Sequence, residues 1–163
     1  MYKQITKLLF ILIFSSLGAC SLLEDPVGPQ SALNNSSDAV KISTIKFSVR
    51  HLTSSEDWLY FPGEMVDIAS FRNVDSVRFA SNMRSQTYPE RCIVELYDFT
   101  NEQPIINSTV DANVRFYFKY VESPDILPKF PKEKVLMGIR MRSSKEGTFV
   151  EVAYDSEILV YSR

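Results

Sequence analysis

The stretch VLMGIRMR, residues 135–142, alternates between two kinds of side chain. One set of positions is apolar (Val135, Met137, Ile139, Met141), and the other carries Leu136, Gly138 and two arginines, Arg140 and Arg142. Because successive side chains of a β-strand point to opposite faces, this period of two predicts a strand with one buried face and one solvated face. Such half-buried strands belong to antiparallel sheets, since all-parallel sheets are covered on both faces.

The same alternation recurs along the chain and predicts further strands. They are ISTIKFSVR (42–50), SVRFA (76–80), CIVELYDF (92–99), VRFYFKY (114–120), TFVEVAY (148–154) and EILVYS (157–162), of which VRFYFKY is the most regular. Turn residues such as Pro62-Gly63 separate the strands, and one short helix is predicted at 64–71. Roughly seven or eight strands between residues 40 and 163 predict an all-β domain with two antiparallel sheets packed face to face.

The stretch VELYDFTNEQPIINSTV, residues 94–110, is similar to the central hairpin of jelly-roll modules, including galactose-binding-like domains, in secreted and surface bacterial proteins. This resemblance implies a jelly-roll-like β-sandwich in which a late strand, here 135–144, pairs with the last one, here 153–162. It transfers no ligand-binding residue. Asp98 and Asn101 are interpreted as turn residues, because Asx side chains bond to their own backbone in turns.

The N-terminus has the order of a secretory signal peptide. Lys3 and Lys7 precede an apolar core at 8–14, and small residues follow as far as Ala19. A membrane-spanning helix needs about 20 apolar residues. The short apolar core therefore favours a cleaved signal, with an N-terminal transmembrane anchor as the alternative.

The tetrapeptide Leu17-Gly18-Ala19-Cys20 resembles the lipobox of bacterial lipoproteins. The resemblance implies that the Cys20 thiol carries a diacylglyceryl group and that cleavage before it makes Cys20 the first mature residue. Ser21, in place of the aspartate that favours inner-membrane retention, implies the outer membrane. The expected organisation is a signal peptide at 1–19, a lipidated cysteine and flexible tether at 20–39, and a β-sandwich at 40–163, with the membrane as partner through the anchor. An ordinary signal with a chance cysteine is the alternative.

Composition argues against nucleic-acid binding and catalysis. The chain has 18 basic and 20 acidic side chains and one histidine. Loss of Lys3 and Lys7 with the signal leaves 16 basic side chains, a net charge of −4, whereas nucleic-acid binding needs a basic surface.

With Cys20 lipidated, Cys92 is the remaining cysteine and is expected to be a small buried apolar residue. No nucleophile, metal or phosphate motif is present, so we expect no enzyme, cofactor or metal site. A glycosidase pair of Glu95 and Glu151 is the alternative.

The densest aromatic stretch is WLYF, residues 58–61. In an extended chain Trp58 and Tyr60 share one face, where flat rings can stack on sugars. Asp57 and Glu56 are the candidate partners for sugar hydroxyls. The alternative is that Trp58 packs in the core, since burial of a large aromatic ring is strongly stabilising.

Two further features are compatible with binding. Arg115, Lys119, Arg140 and Arg142 are predicted on outward faces of neighbouring strands, where a basic stripe would meet acidic glycan or phosphate, or simply keep the surface soluble. The loop at 122–134 either binds a partner or closes one end of the sandwich. The sequence thus predicts a lipid-anchored, non-catalytic module that binds an envelope glycan or protein, with a structural lipoprotein docked onto an envelope complex as the alternative.

Overall fold

A computed structural model of the chain describes residues 40–47 and 50–163. The predicted signal peptide, Cys20 and the tether lie outside the described residues, as does Val49. Within them no helix is long and apolar enough to span a membrane.

Eleven strands form in the described part of the chain. They are β1 (Lys41–Phe47), β2 (His51–Thr53), β3 (Leu59–Val66), β4 (Val74–Ser85), β5 (Cys92–Asp98), β6 (Gln103–Pro104), β7 (Val110–Ala112), β8 (Lys119–Glu122), β9 (Val135–Ser143), β10 (Val150–Val152) and β11 (Ser156–Ser162). The first sheet has the order β1-β11-β4-β10-β2, and β8 also pairs with β4. The second has the order β3-β9-β5-β6, and β7 also pairs with β5. Short 3-10 helices lie at Ile68–Ser70 and Leu127–Lys129.

The two sheets bury their apolar faces against each other. The largest fully buried side chains include Phe79 and Met83 of β4, Leu96 of β5, Met141 of β9 and Ile158 of β11. Burying each such side chain contributes about 1.5–3 kcal/mol. The predicted fold class, an all-β sandwich of two antiparallel sheets, is confirmed.

The alternation in 135–142 also has the predicted orientation. Met137, Ile139 and Met141 are buried, whereas Arg140 and Arg142 lie on the outer face. The pairing implied by the jelly-roll resemblance is wrong in one respect. The strand β9 pairs with β3 and β5 in the second sheet, and β11 pairs with β1 and β4 in the first, so the two late strands do not pair with each other.

The predicted hairpin after β5 is present. Residues Tyr97 and Asp98 pair with Pro104 and Gln103 of β6. The Asp98 carboxylate accepts the backbone N–H groups of Thr100 (2.9 Å) and Asn101 (3.0 Å), which is the Asx-turn role expected from the sequence.

The most regular predicted strand, residues 114–120, is mostly a loop. Only Lys119 and Tyr120 belong to a strand, and Phe116 and Tyr117 are 83% and 63% exposed. The chain passes here from β7 in the second sheet to β8 in the first. Strand pairing is interrupted where the chain crosses from one sheet to the other, and the alternation of apolar and polar residues does not show where such a crossing lies.

The segment 59–71 also differs from its prediction. Residues 64–66 end β3 and pair with β9, so the predicted helix at 64–71 is wrong. Only Ile68–Ser70 turns, where the Asp67 carboxylate accepts the Ala69 N–H at 3.1 Å. Pro62-Gly63 forms a bulge inside β3 rather than a turn, because the register shifts there. Bulges and prolines are tolerated in edge strands such as β3.

The proline-rich loop at 122–134 closes one end of the sandwich. Its Ile126 and Phe130 side chains are buried in the core. The Asp125 carboxylate accepts the Val77 N–H at 2.9 Å. Burial by itself would raise the pKa of Asp125, but this bond and others outweigh it and hold the pKa below its usual value. The loop is thus an extension of the core, as in the closure interpretation.

Candidate functional site

The outer face of the second sheet places three candidate-site side chains in one row. Tyr60 of β3 pairs with Arg140 of β9, which pairs with Glu95 of β5. Paired residues of neighbouring strands point to the same face, so the register alone brings these side chains together. All three lie on the side of the sheet away from the core.

The ion pair in this row is largely buried. Arg140 donates from Nε to Glu95 Oε1 at 2.6 Å, and Thr109 Oγ1 donates to Oε2 at 2.7 Å. The Arg140 and Glu95 side chains are only 15% and 10% exposed. Both carboxylate oxygens of Glu95 therefore have partners, and the guanidinium group is held in place.

Aromatic rings surround the Arg140 guanidinium group. Its central carbon lies 4.4 Å from the ring centroid of Trp58, 5.8 Å from that of Tyr60 and 5.2 Å from that of Tyr97. Tyr97 meets Tyr60 and Phe99 edge to face, with centroids 4.8 Å and 5.1 Å apart. We call this surface the aromatic–arginine face. It consists of Trp58, Tyr60, Tyr97, Phe99, Arg140 and Arg142.

Arg142 is the second cation of the face. Its guanidinium carbon lies 4.8 Å from the Trp58 ring centroid. Among the described residues its Nε has no hydrogen-bond partner, and its guanidinium forms no ion pair within 4.0 Å. Guanidinium groups bind carboxylate and phosphate in a fixed fork geometry, and because the Nε of Arg142 is buried, its terminal Nη groups, from which no described residue accepts a hydrogen bond, are the donors that a ligand would meet.

Gly138 allows the rings to approach the sheet. A Cβ atom at this position would lie 2.7 Å from Phe99 Cε2 and 2.2 Å from the Phe61 carbonyl oxygen. The absence of a side chain at 138 thus makes room for Phe99 and for the close approach of β3.

The structure brings together two of the four predicted ligand-binding residues. Trp58 and Tyr60 both contact Arg140, Tyr60 is 46% exposed, and Trp58 is half-buried on the outer face rather than in the core. Glu56 and Asp57 are exposed, and their backbone amides bond to Glu146 and Ser55. Their role toward a ligand stays a prediction.

The sequence reasoning missed the contributions of Tyr97, Phe99 and Glu95 to this face. Tyr97 and Glu95 stand on the outward positions of β5, which the alternation did identify. The missing information was the register that sets them beside Arg140.

A second buried carboxylate lies on the outer face of the other sheet. Glu151 of β10, whose side chain is 3% exposed, accepts from Nε of Arg50 at 2.5 Å and of Arg84 at 2.8 Å. Burial by itself would raise the pKa of Glu151, but the two arginines outweigh it and hold the pKa below its usual value. Glu95 and Glu151 are on opposite outer faces, so the alternative of a glycosidase pair is wrong.

The predicted basic stripe is also wrong. Arg140 and Arg142 lie on β9 of the second sheet, whereas Lys119 begins β8 of the first and Arg115 lies in the loop before it.

Cys92 is fully buried as predicted, and burial raises the pKa of its thiol far above the usual value. Within the described ranges no three His, Cys, Asp or Glu side chains are grouped to hold a metal ion.

No protein-family model matches the chain, and no curated protein sequence matches it. Among solved structures, a family two carbohydrate esterase from Cellvibrio japonicus is 12% identical with a TM-score of 0.31, over 76% of this chain and 34% of the esterase chain. Infectious bursal disease virus structures of the Gx and Gt strains are 11% identical, with TM-scores of 0.37 and 0.35. The match to the Gx strain covers 77% of this chain and 37% of the viral chain, and the match to the Gt strain covers 85% of this chain and 40% of the viral chain. This chain therefore spans less than half the length of each of these three structures.

The fold thus defines a class, a two-sheet antiparallel β-sandwich with a solvent-facing cluster of rings and arginines on one sheet.

Proposed function

We propose that this protein is a lipid-anchored module of the bacterial cell envelope that binds a glycan through the aromatic–arginine face and has no catalytic activity. The observation that carries the proposal is the arrangement of Trp58, Tyr60 and Tyr97 around Arg140 on an outer sheet face. Aromatic rings offer flat apolar surfaces to the C–H faces of sugars, and polar groups among them fix orientation.

The face is organised before any ligand arrives. Glu95 and Thr109 hold Arg140 through hydrogen bonds, and the edge-to-face contacts of Tyr97 hold the neighbouring rings. Preorganised side chains lose little conformational entropy on binding, which favours affinity. Arg142 then gives the site a preference for glycans that carry a carboxylate or phosphate group.

The same contacts support a non-catalytic role. A general acid or base must be able to exchange a proton with the substrate. Glu95, the carboxylate in the row, already accepts hydrogen bonds at both oxygens.

Trp58→Ala is expected to weaken glycan binding about five- to thirtyfold, because stacking and its buried area are worth about 1–2 kcal/mol. The measurement is retention on purified peptidoglycan and outer-envelope polysaccharide, with thermal unfolding to confirm the fold. Phe116→Ala is the control, since it removes an exposed ring from the loop that leads to the other sheet. Equal retention of wild type and Trp58→Ala, or no retention of either, contradicts glycan binding.

The same variants test a second candidate function, docking onto an envelope protein. Phe116 and Tyr117 are strongly exposed in the loop at 114–118, beside Arg115. Aromatic residues and arginine are enriched at protein interfaces and their hot spots. A stoichiometric partner that co-purifies in mild detergent with wild type and Trp58→Ala, and is lost with Phe116→Ala, would favour docking.

Cys20→Ser is expected to move the protein from the membrane fraction to the soluble fraction. The hydroxyl group cannot take the diacylglyceryl group, and a lipoprotein anchor of two or more acyl chains is what holds such a protein firmly. Fractionation with and without high salt measures the change. An uncleaved, membrane-bound Cys20→Ser protein would point instead to a transmembrane anchor.

A further inference from the structure

A groove of about 400 Å³ lies where the chain enters the described domain. Its wall combines the start of β1, the end of β11 and the segment that follows the first 3-10 helix. The lining includes Lys41, Ser43, Ser70, Arg72, Ser162 and Arg163. With Phe71, the lining has seven residues, of which three are basic, in a protein whose net charge is −2.

The positive charge of the groove is only partly neutralised. Arg163 is paired with Asp75, with Nε and Oδ2 3.0 Å apart. Lys41 and Arg72 are exposed, and neither forms an ion pair within 4.0 Å with any described residue. Two exposed cations beside one paired arginine are suited to binding phosphate groups at the surface.

The position of the groove indicates where those phosphates come from. Lys41 is the first residue of β1, so the sequence at 20–39, predicted above to be a flexible tether, joins the domain beside the groove. A flexible segment of twenty residues has a root-mean-square span of about 25 Å. With the proposed anchor at Cys20, the bilayer would lie on average about 25 Å from the start of β1, close enough for Lys41 and Arg72 to contact it.

We propose that this groove binds the phosphate headgroups of anionic phospholipids and holds this end of the domain against the membrane. The opposite end of β4, where Ser85 donates to the Val114 carbonyl oxygen at 2.9 Å, then points away from the bilayer with the loop at 114–118. The inference relies on the proposed anchor at Cys20 for its direction and is independent of glycan binding.

The test uses residues 20–163 with Cys20→Ser, so that no acyl chain contributes to binding. Sedimentation with vesicles of phosphatidylglycerol and phosphatidylcholine is compared with sedimentation with phosphatidylcholine alone, at low and high salt. We expect binding to the anionic vesicles only, and weaker binding at high salt. The double variant Lys41→Ala/Arg72→Ala is expected to bind about thirtyfold more weakly, a factor of about five for each basic residue.

The matched control is Arg115→Ala/Lys119→Ala, which removes the same charge from exposed side chains near the other end of β4. It is expected to bind the vesicles like wild type. An equal loss in both double variants would show diffuse attraction rather than a groove, and an absence of binding to anionic vesicles would also overturn the proposal.

A third arm separates lipid from free phosphate. Inorganic phosphate is added at the ionic strength of a chloride control. Stronger displacement by phosphate than by chloride is expected, because both ligands present the same group to the groove; binding of free phosphate that Lys41→Ala/Arg72→Ala abolishes, without binding to anionic vesicles, would assign the groove to a soluble phosphate and overturn the lipid assignment. Glycan retention is measured on the same variants and tests the aromatic–arginine face. Vesicle binding tests the groove, so the failure of either proposal is seen independently of the other.

Discussion

Arg140→Met is expected to lower the free energy of unfolding by about 3–5 kcal/mol, because it leaves the Glu95 carboxylate buried without its countercharge. Thr109 then provides the remaining side-chain hydrogen bond to Glu95. The methionine retains most of the apolar stem of the arginine, so the loss reports the charge rather than a cavity. Urea denaturation followed by fluorescence of the single tryptophan measures it.

Two controls separate this effect from general perturbation of the sheet. Glu95→Gln combined with Arg140→Met is expected to recover a large part of the stability, since no uncompensated charge remains. Arg91→Met breaks an exposed ion pair whose Nη1 and Oδ2 atoms are 2.6 Å apart, with 58% and 40% exposed side chains, and should cost less than about 1 kcal/mol. A loss in Arg140→Met no larger than that in Arg91→Met would contradict the buried role of Glu95.

The strands that could be predicted from sequence are those whose two faces meet different surroundings. In β9, β5 and β11 the inward positions contact the opposite sheet, and several outward positions stay partly exposed, so selection for burial leaves a period of two. The predicted strand is too short where buried and exposed residues do not alternate. The strand β4 continues to Ser85 with Ala80, Ser81 and Met83 all buried, well beyond the predicted 76–80.

The failures have identifiable causes. Pro62-Gly63 has the residues of a turn, yet β3 accommodates them as a bulge because it is an edge strand. The loop at 114–118 has the alternation of a strand, yet its place between the two sheets prevents pairing. Both outcomes depend on which strands are neighbours, and this information is not contained in any local stretch.

The candidate site divides in the same way. Trp58 and Tyr60 were predicted from their own stretch because ring type and spacing are local properties. Their partners Tyr97 and Glu95 come from β5, on the far side of β9. One residue of shift in either pairing would turn the partner side chains toward the core, so the site exists only through the register.

Gly138→Ala is the second change with a large expected effect, a loss of about 3 kcal/mol of unfolding free energy, at the upper end for overpacked sites. The new Cβ would lie 2.2 Å from the Phe61 carbonyl oxygen and 2.9 Å from the Gly63 nitrogen, which are backbone atoms of the paired strand. Backbone atoms cannot move aside as a side-chain end can, so β3 must separate from β9. Urea denaturation measures the loss of stability, and glycan retention measures the effect of this separation on the aromatic–arginine face.

Gly147→Ala is the matched control for this substitution. Its Cβ would meet no atom within 4 Å, and its φ of +77° means that alanine pays only for the left-handed backbone conformation, about 1–2 kcal/mol. Gly147 lies in the turn after β9, outside the aromatic–arginine face, so glycan retention should not change. Separation of β3 in Gly138→Ala would instead carry Tyr60 away from Arg140 and weaken binding together with stability. Equal losses of stability in the two variants, with retention intact in both, would contradict the close approach of β3 and β9 on which the site depends.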